Sequence, residues 1–250
     1  MSEIKEEQGY FYMPLTILSY QLDKGKKLSP VAVAEILQEA AGTHANYGGF
    51  GYHQVFSHSS VWVLNSLRFE VNQFPVWEEN ITVKTWVVGS QRFISRRDFE
   101  VLNEKGEVLI AATSNWILYN FERKRPMSID TLDFNVVEHP ENYAVRDDIE
   151  MTKEFVSSEF PESYIVKYSD LDMVGHMNNT RYIRNIFDSY PIDILESKSL
   201  SSFEIQFRSE AKFDDKLMIH SSMESRNQYK HEITRPSDLK SICFARVSWR

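Results

Sequence analysis

Residues 169–182, with the sequence SDLDMVGHMNNTRY, contain the densest set of side chains in the chain that could take part in chemistry. Asp172, His176, Asn178 and Asn179 all lie in this short stretch. A histidine near a carboxylate can transfer protons, and a helix start can bind an oxyanion. Aspartate and asparagine also cap helices for structural reasons alone. Capping explains one asparagine, but it does not require both Asp172 and His176.

A helix is predicted to begin at Asn178 or Asn179, directly after this stretch. Apolar side chains follow at the three- and four-residue spacing of a helix that packs on a core. They are Ile183, Ile186, Phe187 and Tyr190. The helix start would present backbone N–H groups and partial positive charge beside His176.

The composition indicates a folded, acidic globular protein of 250 residues, 42% hydrophobic and 26% charged. Its net charge of −8 argues against non-specific binding to nucleic acid. The polar start has no apolar signal-peptide core, and no apolar run is long enough to span a membrane. The single Cys243 cannot form an internal disulfide, and we expect a buried small hydrophobic side chain. These features favour a cytoplasmic protein.

The predicted elements occur twice in the same order, as a strand, a helix and four further strands. The helices are predicted at 30–45 and 180–190. Residues 67–83 align without a gap with 203–219, and residues 112–116 align with 245–249. A repeat of this size indicates a duplicated domain. A helix followed by antiparallel strands predicts an α+β fold in which a sheet wraps a long central helix.

We therefore predict a first domain at 1–135, a linker at 136–162 and a second domain at 163–250. The two copies differ in the side chains that could do chemistry. The loop before the first helix contains Asp23 but no histidine, and Glu210 stands where the first copy has Phe74. If Glu210 faces the second helix start, it could act with His176 to activate water. The alternative is that Glu210 opens a turn that faces solvent.

The chain resembles the acyl-acyl carrier protein thioesterases of plants and bacteria, which are double-hotdog enzymes. The resemblance covers nearly the whole chain. The stretches that carry it are SDLDMVGHMNNTRY at 169–182, FPVWEENITVKTW at 74–86, RRD at 96–98, SNW at 114–116 and, more loosely, FRSE at 207–210.

The resemblance implies two tandem hotdog domains that hydrolyse the thioester between a fatty acyl chain and the phosphopantetheine of acyl carrier protein. It implies no cofactor. The catalytic residues of the family match Asp172, His176 and Glu210 in the second domain, while the first domain shapes the acyl pocket. We expect Asn178 and the helix start to bind the oxyanion.

Two positions depart from the pattern of this family. Val174 stands where the family has asparagine, so one polar contact to water or the oxyanion is missing. Ala211 stands where plant members have cysteine after the glutamate. The second change disfavours covalent catalysis by cysteine and leaves attack by water. After the first change, either backbone N–H groups or Asn178 compensate, or the protein is slow, altered in specificity or inactive.

Some residues are candidates for binding. Leu37, Val63, Leu67 and Trp86 could line an acyl pocket, although such residues often form a plain core. Arg123, Lys124 and Arg125 could dock an acidic carrier protein, or they could be an exposed solubilising loop. His44, His53 and His58 lack the spacing of metal ligands, so no metal site is predicted.

Other functions stay open at this point. Hotdog dehydratases also pair Asp with His, but their pattern has four residues between the two and includes Asn-Pro. Here only Met173, Val174 and Gly175 lie between them, which favours a hydrolase. An acyl-CoA thioesterase and a catalytically impaired acyl-binding protein are the further alternatives. The oligomeric state is also open, with a homodimer as one option.

Overall fold

The structure, a computed structural model, describes residues 3–147, 149, 156, 158 and 161–250. It divides into two units, residues 1–148 and 149–250. Each unit combines an antiparallel sheet with α-helices, as the predicted α+β class requires. The change of unit lies inside the segment 136–162 that was predicted as a linker. Part of that segment is outside the described residues, and the domain bounds stay a prediction.

The first unit contains seven described strands and two α-helices. They are β1 (Lys5–Glu7), β2 (Tyr10–Thr16), α1 (Pro30–Tyr47), α2 (Tyr52–Phe56), β3 (Ser60–Val71), β4 (Asn80–Gln91), β5 (Ile94–Asn103), β6 (Val108–Asn120) and β7 (Arg125–Pro126). The sheet has the antiparallel order β1-β2-β4-β5-β6-β3, with β7 also paired to β6. Helix α1 begins as predicted, because the Ser29 side chain caps Ala32 N–H and Pro30 occupies the first turn.

The second unit has five described strands and two α-helices. They are β8 (Glu162–Ile165), α3 (Asn179–Asp188), α4 (Ile192–Ser197), β9 (Leu200–Phe207), β10 (Lys216–Ser225), β11 (Gln228–Arg235) and β12 (Lys240–Trp249). The sheet order is β9-β12-β11-β10-β8, again antiparallel. Helix α3 ends before the predicted position 190, because Tyr190 precedes Pro191 and a residue before proline disfavours helical backbone.

Each unit buries one face of its main helix. In α1 the buried side chains include Leu37, Ala41 and Ala45. In α3 they include Ile183, Ile186 and Phe187, as the spacing predicts. Burial of a large apolar side chain contributes about 1.5–3 kcal/mol, so these faces hold the helices on their sheets. No helix in the described part of the chain is long and apolar enough to cross a membrane.

The two units repeat one another down to single hydrogen bonds. Leu28 N–H donates to Pro75 O at 2.8 Å, and Met177 N–H donates to Ala211 O at the same distance. Lys27 is bridged to Val76 in the first unit, as His176 is to Lys212 in the second. These contacts confirm the ungapped alignment. They make Lys27 the counterpart of His176 and Phe74 the counterpart of Glu210.

Candidate active site

A tight turn positions His176. Asp172 N–H donates to His176 O at 2.8 Å, while Asp172 Oδ1 accepts the N–H groups of Val174 at 2.9 Å and His176 at 3.0 Å. Gly175 has a φ of +81°, a left-handed conformation that glycine adopts without a steric cost. The carboxylate of Asp172 therefore fixes the backbone that carries His176.

The first unit contains the same turn without the histidine. Asp23 N–H donates to Lys27 O at 2.8 Å, and Asp23 Oδ1 accepts Lys27 N–H at 3.1 Å. Asp23 is thus the counterpart of Asp172. Among the predicted site residues, His176, Asn178 and Glu210 have counterparts of a different residue type in the first unit. The contacts of Asp172 are those of a turn-forming residue, and a direct catalytic role for it stays a prediction.

The carboxylate of Glu210 lies beside the imidazole of His176. Glu210 Oε2 is 3.2 Å from His176 Nδ1, and Glu210 Oε1 is 3.5 Å from Lys212 Nζ. The side chains of His176 and Glu210 are 32% and 56% exposed, so water can reach both. The structure therefore brings together the two groups that sequence analysis proposed as an acid–base pair, and Glu210 is directed to His176 although it is exposed.

Two residues without a role in the sequence analysis hold the backbone around Glu210. The buried Tyr182 of α3 accepts Ala211 N–H on its hydroxyl oxygen at 3.0 Å, and its ring lies edge-on to Phe207. Arg235 Nη1 donates to Glu210 O at 3.1 Å and to Asp215 Oδ2 at 2.8 Å. Tyr182 could have been found from sequence, because it is the last residue of the 169–182 stretch. Nothing in the sequence around Arg235 indicates its contact with Glu210.

The start of α3 follows His176 directly. Asn178 Oδ1 accepts the N–H and the hydroxyl of Thr180, both at 2.9 Å. This confirms the predicted N-cap, while oxyanion binding there stays a prediction.

Val174 is 52% exposed and contributes its backbone N–H to the turn. Cys243 is buried on β12, as expected, and burial raises the pKa of its thiol.

The first unit contains a cavity of about 270 Å³. It is lined by Gln38, Ala41, Gly42, Ala45, Phe50, Trp62, Val87, Ser90, Ser95, Arg97, Trp116, Ile129, Phe134 and Val136. Leu37, Val63, Leu67 and Trp86, the residues predicted to line an acyl pocket, are not part of this lining. Leu37, Leu67 and Trp86 are buried core residues and Val63 is exposed, so the set predicted as a pocket does not form this cavity.

The remaining candidates are not among the residues that line this cavity. Arg123, Lys124 and Arg125 are all exposed, with Arg125 in β7, and docking by them stays a prediction. His44 is buried against Arg97, whereas His53 and His58 belong to the α2 region. Within the described ranges, no group of three or more His, Cys, Asp or Glu side chains is placed to hold a metal ion.

Family models match both halves of the chain. The acyl-ACP thioesterase N-terminal domain matches residues 9–133, and the acyl-ACP thioesterase C-terminal domain matches residues 153–250. A palmitoyl-acyl carrier protein thioesterase of Cuphea hookeriana is 26% identical over 100% of this chain and 64% of its own length. The chain thus spans just under two thirds of that relative.

Solved structures agree with the family models. An acyl-ACP thioesterase from Bacteroides thetaiotaomicron superposes with a TM-score of 0.89 and 25% identity, covering 98% of this chain and 100% of that one. A 12:0-ACP thioesterase from Umbellularia californica gives a TM-score of 0.88 and 25% identity, covering 98% of both chains. The repeated α+β units and both family models lead to one conclusion: this chain belongs to the acyl-ACP thioesterase family.

Proposed function

We propose that the protein hydrolyses fatty acyl-acyl carrier protein thioesters to free fatty acid and holo carrier protein, with water as the nucleophile. The observation that carries this proposal is the 3.2 Å contact between His176 Nδ1 and Glu210 Oε2 beside the start of α3. The relatives named as palmitoyl- and 12:0-ACP thioesterases support the choice of substrate.

The residues can divide the work as follows. Glu210 accepts a proton from water as the water oxygen attacks the thioester carbonyl carbon. His176 orients Glu210 and shuttles the proton. The oxyanion is bound by backbone N–H groups at the start of α3 together with Asn178. The C–S bond then breaks, and the leaving sulfur takes up the proton to give the free thiol. Asp172 holds the turn.

The cavity of the first unit is the acyl site in this proposal, with Trp62, Val87 and Trp116 among its walls. Most of its lining is apolar, as a binding site for an alkyl chain requires.

Arg123, Lys124 and Arg125 are the proposed docking site for the acidic carrier protein. A cytoplasmic location and a homodimer stay predictions; the Cuphea relative is named as chloroplastic.

The test is release of free thiol from acyl carrier proteins loaded with acyl chains of different lengths. The proposal expects release by the wild-type protein and a loss of at least 100-fold in the His176→Ala variant. A small acyl thioester assayed in parallel separates chemistry from docking. Release that is unchanged by His176→Ala would contradict the proposed site.

A second candidate function is acyl binding by a catalytically impaired protein. Val174 favours it, because valine cannot donate to an oxyanion where the family has asparagine. This function predicts no thiol release from any acyl chain length in the same assay. It also predicts tight binding of acyl-acyl carrier protein in a separate binding measurement.

A further inference from the structure

A buried guanidinium forms part of the wall of the first-unit cavity. Arg97 on β5 is 4% exposed. Its Nη1 lies 2.7 Å from His44 Nδ1 and donates to Thr85 Oγ1 at 3.1 Å. The Phe50 ring is 6.0 Å from the guanidinium carbon. Over the ranges that the structure describes, no carboxylate forms a salt bridge with Arg97 (its neighbour Asp98 pairs with Arg96).

The partners of Arg97 are neutral. Burial, and then the charge of Arg97, lower the pKa of His44 to about 3, so His44 is uncharged at neutral pH. Burial also lowers the pKa of Arg97, but only to about 9, so the guanidinium remains protonated. A buried charge without a counter-ion is unfavourable, and an anion placed beside it restores much of the lost stabilisation.

The surroundings of Arg97 combine polar and apolar groups. Val87 is directly opposite Arg97 on β4, and Trp116 is opposite Ser95 on β6. Ser90 Oγ donates to Ser95 Oγ at 3.1 Å, which places two hydroxyls on the same cavity. The rest of the wall is mainly alanine, aromatic and branched aliphatic side chains. The cavity thus offers one cation and a few hydroxyls within an apolar enclosure.

The second unit shows that the fold does not require this cavity. Counting from the N-caps Ser29 and Asn178, Tyr190 is the counterpart of Ala41. Strand register makes Tyr229 the counterpart of Arg97. In the second unit the rings of Tyr190 and Tyr229 pack edge-to-face, with centroids 5.2 Å apart. Small helix residues and a cation therefore replace an aromatic cluster in the first unit only.

We propose that the first-unit cavity binds an aliphatic chain that ends in a carboxylate, with the carboxylate on Arg97 and the chain against the apolar walls. Two sources share this chemistry. One is a free fatty acid, and the other is the distal carboxylate of a dicarboxylic acyl thioester. The binding site stands on the cavity alone, while the thioester source rests on the proposed function.

The binding test uses the full chain and two ligands of equal length, dodecanoate and 1-dodecanol. Tryptophan fluorescence reports binding, because Trp62 and Trp116 lie in the cavity wall. We expect dodecanoate to bind at least tenfold more tightly than the alcohol. Arg97→Met should abolish this preference, and Ala41→Tyr should weaken both ligands by filling the cavity. The exposed Lys105→Met variant is the control and should keep the preference.

The wild-type comparison decides the matter even if Arg97→Met fails to fold, and Arg97→Lys, which retains a cation, should keep part of the preference. Equal affinity of the wild-type protein for dodecanoate and 1-dodecanol would overturn the proposal. A preference of the same size in folded Arg97→Met would also overturn it, because the anion would then be bound elsewhere.

Thiol-release assays distinguish the two sources. Competitive inhibition by dodecanoate that is lost in Arg97→Met identifies a free fatty acid. Faster hydrolysis of the mono-thioester of dodecanedioic acid than of the dodecanoyl thioester identifies the dicarboxylic acyl group. If no thioester is hydrolysed while dodecanoate still binds through Arg97, the proposed function fails and the carboxylate site stands.

Discussion

His176 and Glu210 lie on two loops that are joined by the hydrogen bond from Met177 N–H to Ala211 O, and their side chains meet 3.2 Å apart at Nδ1 and Oε2. The backbone contact joins the two residues that directly follow His176 and Glu210 in sequence. Tyr182 supports the same loop through Ala211 N–H. The contact between His176 and Glu210 thus lies on backbone held by hydrogen bonds, although both side chains are open to water.

Because His176 and Glu210 would act on one water molecule, we expect their effects on rate to be strongly non-additive. His176→Ala and Glu210→Gln should each lower kcat for an acyl thioester by about 10²–10⁴-fold. The kcat of the double variant should be only slightly lower than that of the less active single variant, because the two groups would act as a unit. Free-thiol release measures all three rates.

The first unit offers a matched control for this cycle. Lys27→Ala changes the counterpart of His176 on an equivalent turn. Its kcat for a small thioester should equal that of the wild type. Multiplicative losses in the double variant would show that His176 and Glu210 act separately.

Asp172 can be tested as a turn-forming residue. Asp172→Asn keeps a side-chain oxygen for the N–H groups of Val174 and His176, so kcat should fall less than tenfold. Asp172→Ala removes the acceptor and should lower the free energy of unfolding by about 1–2 kcal/mol, with a larger loss of rate. Urea denaturation and thiol release measure the two effects. If Asp172→Asn is as slow as Asp172→Ala, the negative charge itself is required.

Asp23→Ala provides the comparison in the first unit. It removes the same kind of acceptor and should destabilise the protein by a similar amount. Its kcat should nevertheless stay near the wild-type value, since no histidine follows it on the turn.

Val174 is the position where a single change should raise activity. Removal of one oxyanion donor lowers kcat by about 10²–10³-fold in other enzymes. Addition of a donor at position 174 should act in the opposite direction. Val174→Asn should therefore increase kcat for acyl-acyl carrier protein, by tenfold or more if the amide reaches the oxyanion. Val174→Ala, which removes volume without adding a donor, should leave kcat unchanged. Equal rates for both variants would show that this position does not contact the reaction.

Two buried histidines should make the protein less stable in acid. Burial lowers the pKa of His44 and of His231 to about 3, from an ordinary value of 6.5. Between pH 6.5 and 3 the unfolded chain binds protons that the folded chain does not. The free energy of unfolding should then fall by about 1.4 kcal/mol per pH unit for each histidine as the pH decreases. This stabilisation is fully present above pH 6.5.

Urea denaturation at a series of pH values measures this loss. His231→Gln should be less stable than the wild type at pH 7, since His231 lies 2.7 Å from the Tyr190 hydroxyl and 2.9 Å from the Ser221 hydroxyl. It should also lose less stability in acid, because glutamine does not titrate. His53→Gln, at an exposed site, is the control and should follow the wild type. An unchanged acid slope in His231→Gln would contradict the assignment.

The exposed basic segment gives a prediction about substrate docking. Reversal of Arg123, Lys124 and Arg125 to glutamate should raise KM for acyl carrier protein substrates by about tenfold and leave KM for a small thioester unchanged. The effect should weaken at high salt, because screening reduces the attraction in the wild type. Lys105→Glu, a charge reversal on the β5–β6 hairpin, is the control. Equal effects on both substrates would exclude docking by this segment.

Sequence analysis was most accurate where a pattern has one physical cause. The apolar spacing after Asn178 predicted α3 and its start, and the alignment of 67–83 with 203–219 predicted a repeat that holds to single hydrogen bonds. Polar caps and buried helix faces are local properties of sequence. Packing across strands is not a local property, so the sequence left open whether Leu67 and Trp86 line a pocket or form the core.

Contacts between distant residues were out of reach of the sequence. Arg235 holds Glu210 O from β11, and nothing near Arg235 in sequence indicates this. The family resemblance matched Asp172 to a catalytic aspartate, and that role stays a prediction; its contacts in the structure form a turn that Asp23 also forms in the first unit. Arg97 was noted only as part of a motif, and its place in a cavity depends on the register of β4, β5 and β6.

The matching turns of the two units have a consequence for how the site arose and how it could be built again. The turn of the first unit has the same backbone contacts as the turn that carries His176 beside Glu210 in the second unit. Lys27 and Phe74 occupy the places of His176 and Glu210, the two side chains proposed to react. A duplicated gene could therefore confine the proposed catalysis to one copy by replacing side chains on a retained turn. An engineer could use the first turn, through Lys27→His and Phe74→Glu, to graft a second reaction centre onto an existing fold.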